Sequence, residues 1–323
     1  MAATVGATKA YDLSGNALRE DLSNVIYDIT PMDTVFMSKI GRGTAASTTH
    51  EWQTNSLVSA AKNAAIEGDN FSATARTLPS RLKNYTQISR KDFEVTGTAE
   101  AVEKAGINSM LAYHTMRAGK ELKRDMETGF LSDEPASAGT SASGRVSAGA
   151  ESWIYSPNHI AASTQTTATT TAPVSGFATS PVTDGTAVTL TEGDLRSALQ
   201  KSWSAGGEVD VILCGPTLYN RISQFTGIAT RFSDVRGAQQ AKIVGAADVY
   251  VSAFGSHNIV LSRYARITTV FCFDMSTWRV DYLRPFQTKE IATVGDAERR
   301  TILAEYTLVA KSPRANTKIT NVS

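Results

Sequence analysis

The sequence predicts an α+β protein in which one long helix and several strands enclose a small helix–strand–helix module. Three observations point there. Leu111, Ala118, Leu122, Met126 and Phe130 recur at helical spacing within 98–132. The continuous apolar run Val209–Cys214 lies between two short helical patterns, as a buried strand of an α/β unit would. From Asp248 onward the chain is dominated by β-branched and aromatic runs.

Residues 1–43 begin polar and carry a weak amphipathic stretch, Leu18, Leu22, Val25, Ile26 and Ile29, broken at Thr30-Pro31 because a residue before proline is pushed out of the helical region. One apolar turn, Thr34–Ile40, follows and Gly41 closes it. This segment has too little apolar surface for a core of its own and reads as an arm that packs on something else. Within 44–94, Thr48–Thr54 and Asn84–Arg90 are strand-like and flank the polar excursion Ala60–Arg76, so a protruding two-stranded loop is expected.

The long helix is expected over Thr98–Ser132, with Thr98 as N-cap and Glu100 and Glu103 near its positive end. Glu121 with Arg124, and Lys123 with Glu127, should pair on its wet face, and Gly106 marks a possible break. From Ser132 to Thr189 the chain is rich in Ser, Thr, Ala and Gly, which predicts a long, exposed and partly mobile insertion anchored by Glu151–Tyr155. A capping-box variant at Thr191–Asp194 opens a helix carrying Leu195, Leu199 and Trp203 and stopped by Gly206-Gly207. A second helix carries Leu218, Ile222 and Phe225 up to Gly227. Strands are then expected at 248–251, 258–261, 268–273, 278–283 and 300–310, followed by Pro313 and a polar tail.

The composition, 41% hydrophobic and 20% charged over 323 residues, is that of a folded protein. Lys plus Arg is 32 against 31 for Asp plus Glu, so net charge favours neither a nucleic-acid nor a membrane partner. No apolar run of about 18 residues and no signal-peptide pattern is present, and a cytosolic protein without a membrane partner is expected. Cys214 and Cys272 sit in apolar runs and read as buried thiols, not as a disulfide or redox pair. Asn84-Tyr85-Thr86 and Asn321-Val322-Ser323 match the glycosylation pattern by chance.

A search for chemistry returns little. His50, His114, His159 and His257 stand far apart without metal-ligand spacing. Gly41-Arg42-Gly43-Thr44-Ala45-Ala46 fits a dinucleotide pattern, but a helical turn precedes it and a strand follows, the reverse of what that motif needs, so it reads as a turn. Ser141 and Ser143 lie in a tract that could not preorganise a nucleophile. Asp133-Glu134 and Asp92 with Glu94 read as solvated charge, and Asp296–Arg300 as a solvated or inter-subunit salt-bridge cluster. The expectation is therefore no catalytic, cofactor-binding or metal site, and no enzyme. Two alternatives stay open: a nucleic-acid-binding protein using Arg81, Lys83, Arg90 and Lys91, or a hydrolase built on the α/β module around Cys214.

Taken in order, arm, two-stranded loop, long helix, inserted α/β module and closing strands resemble the major capsid proteins of tailed bacteriophages, of the Hong Kong 97-type fold. The likeness rests on Ile29–Phe36, Leu199–Glu208, Asp281–Thr288, Gly295–Arg300 and Glu305–Leu308, and the tract 156–186 departs from the family pattern. The resemblance implies an N-terminal arm (1–43), an extended loop (44–94), a peripheral domain with the spine helix (95–150), an axial domain (151–290), and a peripheral closing strand and tail (291–323). It implies pentamers and hexamers forming an icosahedral head around double-stranded DNA, located in the virion and assembled in the bacterial host cytoplasm. Implied partners are further copies of the chain, a portal protein, and possible scaffolding and decoration proteins. Some members of the family carry a lysine–asparagine cross-link between subunits; Lys62 and Lys83 lie near the loop concerned, without an assignable asparagine. Only 43 residues precede the first loop strand and the chain starts at Met1, so a separate scaffolding protein or none is expected. Lys120, Lys123 and Arg124 are first candidates for weak, sequence-independent DNA contact, with pairing to Glu121 and Glu127 as the alternative.

Overall fold

Strand and helix signals sort into separate layers. The computed structural model describes residues 33–323 except 59, 63, 65, 69, 71–75, 77, 105, 162–169, 226–248 and 294. The expected stretch Leu18–Ile29, the Pro31 break and the Gly227 stop lie outside the described residues, as does most of the Thr-rich run 166–172. The elements are α1 (Val35–Lys39), β1 (Gly41–Thr44), β2 (Thr49–Thr54), β3 (Ser80–Tyr85), β4 (Gln87–Thr96), α2 (Gly97–Ala101), α3 (Met110–Phe130), α4 (Ala150–Trp153) and β5 (His159–Ala161). They continue with α5 (Glu192–Ser204), β6 (Val211–Cys214), α6 (Pro216–Ser223), β7 (Val249–Ser252), β8 (Gly255–Leu261), β9 (Val270–Phe273), β10 (Trp278–Ile291), β11 (Ala297–Ala310) and β12 (Thr317–Thr320). Among the described residues the strands form a four-stranded sheet, β1-β10-β11-β4, a six-stranded sheet, β5-β12-β9-β6-β8-β7, and the hairpin β2-β3.

The long helix is shorter at its start than expected. The first helical turn ends at Ala101, where Val102 turns extended (φ −72°, ψ 139°), and Gly106, at φ +74°, lies in the break before the second helix, a conformation that costs glycine little. The caps are Thr96, which accepts from Ala99 N, and Ser109, which accepts from Ala112 N; Thr98 caps neither helix. Ala118, Leu122, Met126 and Phe130 are buried against β4 and β11, and Phe130 meets the Tyr306 ring edge-on at 5.3 Å. The expected pairs on the wet face are not made. Glu121 pairs with Arg117 at 3.0 Å. Glu127 is fully buried and accepts from Phe36 N at 2.6 Å and Met37 N at 2.8 Å. A helix as short as α1 leaves nearly all its N–H groups without internal acceptors, and the Glu127 carboxylate supplies two. Burial raises the pKa of Glu127 and the backbone donors of α1 oppose that rise. Phe36 then fills the core beside Phe273 (5.0 Å) and Trp278 (5.9 Å).

Gly41–Thr44 is a strand and not a turn, running parallel to β10 in register Gly41↔Arg279 through Thr44↔Tyr282. Glycine is needed at 43, where a Cβ would lie 2.3 Å from Asp281 Oδ1. The strand expected over Asn84–Arg90 divides at Thr86, its first part pairing in the hairpin and its second with β11.

In the six-stranded sheet, β6 is buried along its whole length between β9 and β8. Thr191 and Asp194 complete the capping box of α5, and Leu195, Leu199, Leu218 and Ile222 cover the sheet. Trp203, expected on that apolar face, is 61% exposed. Both cysteines are buried and reduced, and burial pushes each thiol up to about 12. The polar tail is also different from expectation. β12 is buried and pairs with β9 and β5, so part of the segment 291–323 belongs to the six-stranded sheet, while β10, all but its last residue within 151–290, belongs to the four-stranded one. Its Lys318 is buried, donating to Glu151 O and, at 2.8 Å, to Thr170 Oγ1, and burial lowers its pKa. The Ser/Thr/Ala/Gly tract is likewise not all exposed: Ala148, Trp153, Ile154, Ala178 and Val182 are core residues.

Glu127→Ala should cost about 1–3 kcal/mol, because two buried N–H groups lose their acceptor. It should also speed amide exchange at Phe36 and Met37; unchanged exchange there would show that α1 holds without the carboxylate.

Candidate functional site

The feature with most unexplained surface is the hairpin β2–β3, which is fastened at its root and bare beyond it. Its root is built from an incomplete sheet. β4 pairs with β11 only from Ala297↔Thr96 to Tyr306↔Gln87, after which the chain leaves the sheet at Thr86. The remaining edge of β11 would then carry orphaned backbone groups, which a buried site does not tolerate. Hairpin side chains take the place of the missing strand. Asn84 Nδ2 donates to Leu308 O at 2.8 Å and Trp52 Nε1 to Ala310 O at 2.9 Å. Ser147 Oγ accepts from Leu308 N at 3.1 Å and from Asn84 Nδ2 at 3.1 Å, while Asn84 Oδ1 accepts from Ala148 N at 3.0 Å.

Apolar contacts support these bonds. The Trp52 ring lies 5.4 Å from Trp153, and Tyr85 stacks on Phe177 at 4.5 Å. His50 Nε2 sits 2.8 Å from Asp281 Oδ2, which Arg279 approaches at 2.6 Å. At the junction itself, Thr86 Oγ1 donates to Glu305 Oε1 at 2.8 Å, and Thr86 O accepts from Arg145 Nε at 3.1 Å. Arg145 Nη2 reaches the same Glu305 oxygen at 2.7 Å, and Arg284 Nε reaches the other at 2.7 Å. Burial works against the Glu305 charge, but Thr86 and the two guanidiniums outweigh it and hold the carboxyl below its ordinary range.

Beyond the root, Leu57, Val58, Ile66 and Leu78 are 96%, 76%, 79% and 83% exposed. Isolated exposed apolar residues are ordinary, but four on the one connection between β2 and β3 mark a surface suited to a partner.

The residues singled out from sequence are dispersed. Lys62 is exposed, whereas Lys83 pairs with Glu51 at 3.0 Å and lies 6.0 Å from the Phe177 ring. The basic set Arg81, Lys83, Arg90 and Lys91 is split between two sheets, and its members pair with Glu51, Glu51, Asp92 and Asp125. That arrangement offers no unpaired basic stripe. Cys214, with its thiol held protonated by burial, offers no nucleophile. His159 is buried, contacting Thr320 and Thr170, and burial drives it down to about 3; His257 faces Val209 O and Ser252. Among the described residues no group of three or more His, Cys, Asp and Glu could hold a metal, and no helix is long and apolar enough to cross a membrane. The cluster at 296–300 forms a cross-strand ladder, Arg299 to Glu94 at 2.7 Å and Arg300 to Glu290 at 3.1 Å. Sequence reasoning missed Asn84, Arg145, Arg284 and Glu305 as a set. The one signal was Glu305, a lone charge inside the apolar strand Ile302–Ala310.

The ionised form of Glu305 is the one that is bound. Its contribution is therefore complete above the ordinary carboxylate range and is lost as pH falls through its lowered pKa. Urea unfolding from neutral pH to about pH 3 should show a shallower acid-side loss of stability in Glu305→Gln than in the parent protein; identical slopes would mean the clamp carries no linkage.

Comparison with known proteins converges on one group. Residues 4–323 match the family described as SU10 major capsid protein. The major capsid protein of Escherichia phage Phieco32 is 27% identical, over 95% of this chain and 94% of its own. The capsid chain of a native GTA particle superposes with TM-score 0.64 at 9% identity, covering 98% of this chain and 99% of that one. A chain from Gordonia phage Cozz gives 0.61 at 12% identity, over 99% and 96%. A phage G structure of major capsid and decoration proteins gives 0.53 at 12% identity, over the full length of both chains.

Proposed function

The chain belongs to the SU10 major capsid protein family, and from that premise we propose that its copies close into pentamers and hexamers forming an icosahedral head around double-stranded phage DNA. It is a structural shell protein of the Hong Kong 97-type fold, not an enzyme. The observation that carries the proposal is the hairpin, fastened to β11 at its root and carrying four exposed apolar side chains on the connection between its strands. Fully burying a Leu, Ile or Val side chain is worth about 1.5–3 kcal/mol, so Leu57, Val58, Ile66 and Leu78 supply a strong drive to lie on another subunit. Each overlap is modest after the cost of association, and a closed shell multiplies it.

In this reading the six-stranded sheet with α5 and α6 surrounds the capsomer axis, and the four-stranded sheet with α3 forms the periphery. A portal protein closes one vertex. Decoration proteins are further partners, supported by the phage G structure of major capsid and decoration proteins. Lys120, Lys123 and Arg124 of α3 face packaged DNA through weak, salt-sensitive contact. Synthesis and assembly take place in the host cytoplasm.

Deleting Ala60–Arg76 should leave the unfolding midpoint of the subunit nearly unchanged, since loop closure entropy varies slowly with length. The same deletion should abolish closed particles in negative-stain micrographs. Normal particles from the deletion would refute the strap role of the hairpin tip.

A further inference from the structure

Glu305 lies beside Thr86, where the chain passes from the hairpin into the four-stranded sheet. β3 ends at Tyr85 and β4 begins at Gln87, so the hairpin turns relative to the four-stranded sheet about Thr86. On the other side of the hairpin, Ala45 N donates to Tyr282 O, Thr86 N donates to Thr48 O at 2.9 Å and Lys83 N donates to Gly176 O at 2.8 Å, so the backbone at the root is held on both strands. Every hydrogen-bonding group of Thr86 is then engaged: N–H by Thr48, hydroxyl by Glu305, carbonyl by Arg145.

The partners come from separate segments. Arg145 belongs to the stretch bridged by Ser137 and Val146, and Arg284 to β10. The register of β10 with β11 shifts on both sides of Arg284. Such irregularities re-aim a side chain within a sheet, and here the aimed group is the guanidinium on Glu305 Oε2. A six-residue strand reaches about 20 Å, so a turn of about 10° at the pivot moves its far end by about 3 Å. That displacement is enough to break or make a van der Waals contact at the tip.

We infer that Thr86, Glu305, Arg145 and Arg284 form a positioning clamp that sets the angle at which the hairpin leaves the subunit, and thereby the curvature at which subunits join. The second half rests on the shell-forming reading above; the first half does not. Trp52 and Asn84 fasten the hairpin to β11, and the clamp adds a constraint on its direction at Thr86. Glu305 is almost fully buried and both its oxygens are shared, unlike the exposed ion pairs Arg90–Asp92 and Arg300–Glu298.

The test uses the full chain and two variants. Thr86→Val removes one hydroxyl at nearly constant shape, and Glu305→Gln removes the charge. In unassembled subunits, Thr86→Val should keep the unfolding midpoint while amide exchange over Glu51–Thr54 and Ser80–Lys83 rises about tenfold, and Glu305→Gln should raise it further. In assembled particles, both variants should broaden the diameter distribution measured by electron cryo-microscopy. Unchanged exchange in Thr86→Val overturns the clamp, even if Glu305→Gln fails to fold. Faster exchange with the single parental diameter overturns the link to curvature. If the parent protein forms no particles, the shell reading fails while the exchange result still decides the clamp.

Discussion

Strand Ala297–Ala310 has to satisfy neighbours on both edges and both faces at once, and the last ten of its residues are buried. β10 pairs along its whole length, but β4 covers the other edge only as far as Tyr306. The uncovered carbonyls of Leu308 and Ala310 impose a strict demand, because a buried acceptor without a donor costs about 1–3 kcal/mol. Asn84 and Trp52 meet that demand with side chains. The hairpin is thereby joined to the centre of the sheet by specific bonds, while the described residues between Thr54 and Ser80 are exposed.

This arrangement separates the two tasks of a shell subunit. The four-stranded sheet, α3 and α1 form one continuous core through Phe36, Leu122, Phe130, Phe273 and Tyr306. The second core, under α5 and α6, is built around β6 and is closed by Ile319 and Val322 from the end of the chain. Neither core needs the hairpin tip. Apolar groups absent from both cores are free to gain their burial from another copy, so that assembly completes what folding leaves unfinished.

Much of this was legible in the chain. The stripe on α3, the apolar β6, the capping box at Thr191 and the hairpin with its polar excursion all announce themselves through periodicity or composition, because local sequence spacing dictates which face is buried. The failures share another cause. Glu127 has the look of a surface helix charge, and only the arrival of α1, whose Met37 lies 90 residues away in sequence, makes it an interior ligand. Thr317-Lys318-Ile319-Thr320 reads as a polar tail because its Lys318 is satisfied by Glu151 and Thr170, which lie far off in sequence. Gly41-Arg42-Gly43 has turn composition, yet Gly43 serves close approach to Asp281. Long-range pairing leaves no periodic trace. A lone acid such as Glu305 in an apolar strand is the nearest thing to one.

The central claim is that the hairpin is fastened at its root and completed at its tip by a second subunit. A side-chain-resolution electron cryo-microscopy reconstruction of the assembled particle tests it directly. The account predicts that Leu57, Val58, Ile66 and Leu78 are buried on a neighbouring copy, with the Asn84–Leu308 and Trp52–Ala310 bonds intact. A reconstruction in which these tips stand in solvent or fold back on their own subunit, or in which those two bonds are broken, would contradict it.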